Sequence, residues 1–158
     1  MNRALLALTA LGALSLAAPA SALEAEQRVL KEVVVQQANG TTSKKYVNAD
    51  LVTPGETVVY ALVFRNDDVK PVDDIVLVMP VPAEVRYIEG SATNRLSSVE
   101  FSADGGGSFT AREGLSKRQP DGRVTAATTD DITHVRWKVA RSVQPGETGQ
   151  LWFRGTLR

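Results

Sequence analysis

Few residues of this chain could do chemistry, and their spacing limits which chemistry to consider. The chain has a single histidine, His134, and no cysteine. Zinc normally takes several His or Cys ligands, so no zinc site is expected. His134 lies in Ile132 to Val139, where alternation sets it beside Arg136 and Lys138 on the polar side of a strand. It reads there as a solvated strand residue rather than a general base. Paired acids occur at Asp67-Asp68, Asp73-Asp74 and Asp130-Asp131. Close acids in loops can bind Ca²⁺ through oxygen ligands. None of the pairs fits the spaced D-x-[DN]-x-[DN]-G loop. They read as solvated turn residues, and the loop bracketed by the first two pairs is the best metal candidate. No nucleophile elbow or phosphate-cradling loop is present. Gly105-Gly106-Gly107 is not one, because no helical pattern follows to offer its N-terminus. A carboxylate pair for glycoside hydrolysis could meet only in the fold, and a hydrolase would also need a cleft. The inventory therefore predicts no enzyme, no cofactor and no metal.

Two features carry chemistry of a quieter kind. Ser102-Ala103-Asp104-Gly105-Gly106-Gly107-Ser108-Phe109 gathers an acid, glycines, hydroxyls and a closing aromatic in one turn. An Asp side chain can accept backbone N–H groups within its own turn, and glycine allows positive φ. The segment resembles the Asp-box hairpin of sialidases and other propeller proteins, S-x-D-x-G-x-[ST]-[FW], where the box is structural and repeated. Here it occurs once, in a chain too short for a propeller. Ser102, Asp104, Gly106, Ser108 and Phe109 therefore read as a structural hairpin without sialidase activity. The second feature is Trp152. It is out of phase with Leu151 and Phe153, which suits the outer face of a strand or a second covered face. An exposed tryptophan could stack on sugar or pack on a partner. Trp137, Phe64 and Phe153 read as core by strand phase.

The elements that must position these residues are strands and turns. Glu26 to Gln37 is rich in valine and favours a strand; Asn39-Gly40 is a strong turn signal. A weak strand follows from Tyr46 to Val52. Thr53-Pro54-Gly55-Glu56 places Pro and Gly where a type II turn wants them. Thr57 to Asn66 is the clearest strand. Val58, Tyr60, Leu62 and Phe64 form one face, and Val59, Ala61 and Val63 the other, which predicts a central strand covered on both sides at least in part. Further strands are expected at Asp74 to Met79, Val85 to Ile88, Val99 to Ser102, Ser108 to Ala111, Ile132 to Val139 and Gln150 to Leu157. Residues 112–131 read as polar and turn-rich. Thr53-Pro54-Gly55-Glu56-Thr57 is echoed by Gln144-Pro145-Gly146-Glu147-Thr148, each copy before an apolar strand, and this reads as convergent turn chemistry. Short strands between Gly/Pro/Asn/Asp turns predict an all-β, antiparallel sandwich.

Residues 1–22 set the compartment. Met1-Asn2-Arg3 is a basic start, Ala4 to Ala18 an apolar run, and Ala20 and Ala22 the small residues a signal peptidase reads. This is the anatomy of a secretory signal peptide cleaved before Leu23. The run is too short for a transmembrane helix, which takes roughly 20 apolar residues. Removing 22 of the 158 residues leaves 136, one domain from 23 to 158 with a proper core. Loss of Arg3 leaves 17 Lys/Arg against 18 Asp/Glu, a formal charge of −1. That balance gives no case for nucleic acid or an anionic membrane surface. Without cysteine there is no disulfide and no lipoprotein anchor. The expected location is periplasmic or extracellular, with no membrane insertion after cleavage.

The order of the motifs resembles a bacterial family. Val52 to Asn66 carries V-x-P-G-E-T-V-x-Y-x-L-x-F-x-N, and Asp74 to Pro82 is a valine-rich strand ending in M-P-V-P. Tyr87-Ile88-Glu89-Gly90-Ser91-Ala92 follows. Ile132 to Trp137 (I-T-H-V-R-W) and the second P-G-E-T turn come near the end. This is similar to the conserved-repeat domain of bacterial surface and exported proteins, domain of unknown function number eleven. The likeness spans roughly residues 29–157. It implies an immunoglobulin-like sandwich and no catalytic residues. The expected function is a non-enzymatic accessory or structural module of the cell envelope, acting by contact with another envelope protein or with itself. The alternative is a carbohydrate-binding module using Trp152 and loop acids. Val29 to Gln37 is the candidate for pairing with a neighbour's strand; the simpler expectation is that it pairs within its own domain.

Overall fold

The computed structural model describes residues 23–92 and 97–158. Ala20 and Ala22, the expected cleavage-site residues, lie with the rest of residues 1–22 outside the described residues. The strands are β1 (Leu23–Gln36), β2 (Thr42–Asn48), β3 (Thr57–Asn66), β4 (Val76–Pro80), β5 (Val85–Tyr87), β6 (Ser97–Ser102), β7 (Ser116–Arg118), β8 (Val124–Ala126), β9 (His134–Val139) and β10 (Thr148–Leu157). A single 3-10 turn, Arg112–Gly114, precedes β7. The strands form a five-stranded sheet in the order β2-β1-β3-β10-β5, a three-stranded sheet β4-β9-β6 and the small hairpin β7-β8. Every pairing is antiparallel. The molecule is an all-β antiparallel sandwich.

The sandwich closes where period-2 apolar faces meet. Tyr60 of β3 stacks on Phe153 of β10 at 5.0 Å between centroids. Tyr87 of β5 meets Phe101 of β6 edge-on at 5.3 Å, joining the two sheets. Trp137, Val135 and Met79 supply the other side of the core and are fully buried. Burying these side chains contributes roughly 1.5–3 kcal/mol each. Asn66 is a buried polar residue with its needs met: its amide donates to the carbonyls of Lys70 and Val143, and its Oδ1 accepts from Asp68 N–H.

The Pro-Gly echo has one local structure used twice. Glu56 N–H bonds Thr53 C=O at 3.1 Å, and Glu147 N–H bonds Gln144 C=O at 2.9 Å. In each turn the Glu carboxylate accepts the first residue's N–H, from Thr53 at 2.7 Å and from Gln144 at 2.9 Å. Gly55 and Gly146 sit at φ 93° and 74°, the left-handed region that glycine alone enters without strain. Each turn also bonds the end of the other strand: Gly55 N–H to Leu157 C=O, and Gly146 N–H to Asn66 C=O. The two turns therefore begin the neighbouring strands β3 and β10 and cap each other's ends.

Several boundaries differ from the sequence expectation. β2 ends at Asn48 rather than continuing to Val52, because the chain peels away there and Lys31 Nζ bonds Leu51 C=O at 3.0 Å. Ser108 to Ala111 is not a strand; only Thr110 bridges back to Phe101. Residues 112–131, expected as irregular, hold the β7-β8 hairpin, turned at Gly122 with φ 86°. Val29 to Gln37 pairs within its own domain. Leu23 to Lys31 registers with β3, and Leu30 to Gln36 registers with β2.

That register leaves a flange. No residue of β1 or β2 is fully buried. The apolar cover given by the smaller sheet stops at β3, and beyond Lys31 the β1-β2 ribbon has no third strand. Val34 on one face is 66% exposed, and Val35 on the other is 40% exposed.

Candidate functional site

The solvent-facing side of the larger sheet carries the best-formed concavity. Antiparallel partners point to the same side, so the register fixes which side chains share it. Leu30 lies opposite Val59, and Val59 opposite Arg154. One step along, Tyr46 lies opposite Glu32; one step the other way, Trp152 lies opposite Ala61. A groove of about 490 Å³ runs over these positions. Leu30 and Val59 line it together with Tyr46, Trp152, Gln150 and Arg154, and Gly90-Ser91 flank it. Ala61 is fully buried although it faces outward, which leaves a small floor position beside Trp152.

The electrostatics beside the groove are fixed by Glu32. Its carboxylate is held by Lys44 Nζ at 2.6 Å and lies 3.8 Å from the Arg154 guanidinium. The Tyr46 hydroxyl donates to it at 3.5 Å. The Glu32 side chain is only 12% exposed, so these partners compensate its desolvation. Ser91 Oγ is committed to the Arg154 backbone, donating to its C=O and accepting from its N–H.

The structure places Trp152 on the outer face, 38% exposed, within this groove. Tyr46, Leu30, Val59, Glu32 and Arg154 were missed by sequence reasoning. Tyr46 was legible as an aromatic in a weak strand, but its approach to Trp152 depends on β1 and β3 lying between them.

The Ser102–Phe109 hairpin sits elsewhere, at the end of the smaller sheet. Ser102 Oγ donates to Asp104 Oδ1 at 2.6 Å and accepts from Gly106 N–H at 2.9 Å. Ser108 donates its N–H to Asp104 Oδ1 at 2.9 Å and its hydroxyl to Oδ2 at 2.6 Å. Those donors, the Ser102 hydroxyl foremost, hold the Asp104 carboxyl far below the usual carboxylate range. Phe109 carries the Arg136 guanidinium 4.2 Å above its ring. Every acceptor of Asp104 is thus engaged by its own turn. His134 lies on the same side of β9 as Arg136 and Lys138, as alternation suggested, but it is less solvated than expected there. It is half-buried, edge-on to Phe109 at 6.5 Å, with Nδ1 3.2 Å from Thr133 Oγ1. The hairpin folds back over the strand and covers it.

The acid pairs are spread among separate partners. Asp67 pairs with Arg65 at 2.7 Å, and Asp73 accepts from Ser142. Asp74 occupies the left-handed region at φ 52°. Asp130 pairs with Arg86 at 2.7 Å and Arg158 at 2.9 Å. Asp131 pairs with Lys117 at 2.6 Å and accepts from Thr128 N–H and Oγ1. No group of three or more His, Cys, Asp or Glu side chains is placed to hold a metal among the described residues.

Fold and site together define a β-sandwich with a side-chain-lined groove on its open sheet face. No family model matches the chain, and neither does any curated protein or solved structure.

Proposed function

We propose that this protein is an exported, non-enzymatic module of the bacterial cell envelope that works by protein–protein contact, in the periplasm or at the cell exterior. We place it with the immunoglobulin-like conserved-repeat domains that its motif order resembles. One observation carries the contact reading, the β1-β2 flange. Val34, Val35, Val29 and Tyr46 are exposed there on both faces of a ribbon that the sandwich does not cover. Val34 shares one face with Tyr46, and Val35 the other with Val29, and exposed apolar side chains gathered in this way point to an interaction surface. Edge strand β2 carries Lys44 and Lys45, which oppose uncontrolled edge-to-edge pairing. A partner seated on the ribbon would therefore be recognised by its face.

The test replaces both valines at once, Val34→Asp with Val35→Asp, in the full chain expressed in its own cell. Cross-linking with mass spectrometry, and light scattering of the purified protein, read association. The parent should give a defined complex, with a partner or with itself. The variant should keep its thermal midpoint, since exposed substitutions shift stability by only about 0.5 kcal/mol, and lose that complex. A variant that keeps the parent's complex, or a parent that forms none, overturns the proposal.

A further inference from the structure

We infer that the groove between Tyr46 and Trp152 is a binding site for a short oligosaccharide, neutral or weakly acidic. The argument starts from direction. The groove crosses β2, β1, β3 and β10 obliquely to the strands, with Tyr46 level with Glu32 and Trp152 level with Arg28 and Ala61. Three strand spacings of ~4.8 Å and about four residues along the strands at ~3.4 Å separate Tyr46 from Trp152, roughly 20 Å in all. At the middle of this floor the strands are bonded on both sides: Leu30 registers with Asn48 and Val59, and Arg154 registers with Val59 while its C=O accepts from Ile88 N–H. The backbone there is already committed. A peptide that binds by adding a strand needs an open edge, and the open edges here, β2 and the Thr148–Phe153 part of β10, lie at the two ends of the groove and not along its floor. Whatever lies in the groove is read by side chains.

Those side chains have a distinct chemistry. Leu30 and Val59 give an apolar floor. At either end stands an aromatic ring with a polar tip, Tyr46 at 49% exposure and Trp152 at 38%. Such residues present an apolar body and a hydrogen-bonding edge together. Arg154 stands between them. Its guanidinium carries five donors, more than its 3.8 Å approach to Glu32 engages. Glu32, beside the groove, accepts from the Tyr46 hydroxyl and pairs with Lys44 and Arg154, which positions the groove's Tyr46 and Arg154. Small-ligand sites combine an apolar lining with a few placed polar groups in this way. A pyranose ring matches it, with C–H faces that lie on aromatic rings and a rim of hydroxyls that both donate and accept. Lys44 and Arg154 against Glu32 leave one positive charge in excess, which tolerates a neutral or singly acidic sugar.

This site meets the flange only at Tyr46; Val34 and Val35, which test the contact reading, do not line the groove. The test applies the labelled full-length exported protein to an array of neutral and acidic oligosaccharides, with hits titrated by intrinsic fluorescence and calorimetry. Trp137 is fully buried, so a fluorescence change on binding reports Trp152. The parent should bind at least one glycan class saturably. Trp152→Ala and Tyr46→Ala should each weaken that binding at least about tenfold, the loss of an anchoring aromatic. Tyr46 is half exposed on the flange, so Tyr46→Ala keeps its fold and separates lost binding from lost structure. Glu32→Gln should weaken binding too, while the Val34/Val35 pair should not. An array without a hit overturns the proposal, and so does binding unchanged in both aromatic variants. Binding confined to extended proline-rich peptides would overturn it as well, assigning the groove to a protein ligand.

Discussion

Replacing Trp137 should show how much of this sandwich hangs on one side chain. Trp137 is fully buried on β9, between Leu77 of β4 and Val99 of β6. Truncation to alanine removes a large buried aromatic and leaves a cavity, a loss of about 3–5 kcal/mol. Domain stability is about 5–15 kcal/mol in total, so the variant should be marginal. Trp137 has a second property. Its Nε1–H is buried and has no partner among the described residues. An unsatisfied buried donor costs about 1–3 kcal/mol. Phenylalanine removes that donor and gives up roughly 50 Å² of apolar burial, about 1.3 kcal/mol at 25 cal/mol per Å². The two effects oppose, and Trp137→Phe should fall within about 1.5 kcal/mol of the parent. Urea unfolding followed by far-UV circular dichroism measures both variants without needing the lost fluorophore. The slope against urea should stay constant while the midpoint moves. An alanine loss below about 1 kcal/mol would refute the core assignment. A phenylalanine variant as damaged as the alanine variant would show that the indole N–H has a partner.

Gly149 of β10 faces Phe64, and a Cβ there would lie 2.1 Å from the Phe64 ring. Gly149→Ala should therefore cost about 1–3 kcal/mol as overpacking, and Phe64→Leu should recover part of it in a double-mutant cycle; unchanged stability in the single variant would contradict the geometry. Asp131 and Glu147 are both lowered to about 2, Asp131 chiefly by Lys117 and Glu147 chiefly by Arg141. Their folded values lie below the unfolded ~4, so the stability they add is full above that and is lost as pH falls towards about 2. Urea midpoints should accordingly hold steady near neutral pH and decline below about pH 4, with a shallower decline in Glu147→Gln; a midpoint rising into acid would reverse the sign. Mass spectrometry of the exported protein should find Leu23 at its N-terminus, and an intact Met1 would refute the leader assignment.

What the sequence determined is what depends on near neighbours. Strand β3 and the core role of Trp137 follow from two-residue alternation, which is a property of the strand itself. The twin Pro-Gly-Glu turns follow from proline's fixed φ and glycine's access to positive φ, and the Ser102–Phe109 hairpin from an acid reaching N–H groups of its own turn. Phase likewise put Trp152 opposite Leu151 and Phe153. Tertiary structure decided the rest. His134 reads as polar-face in its strand and is covered only because a hairpin from another segment folds over it. Gly149 falls outside the strand expected from Gln150 to Leu157, and only the pairing of β10 with β3 sets it against Phe64, far away in sequence. The flange exists because the smaller sheet is narrower than the larger one, so Tyr46 of β2 and the valines of β1 beyond Lys31 go uncovered. The groove needs residues from β2, β1, β3 and β10 in one register. Alternation states which side of a strand is apolar. Which strands lie side by side, and what covers each face, is set by long-range pairing, and no local pattern encodes it.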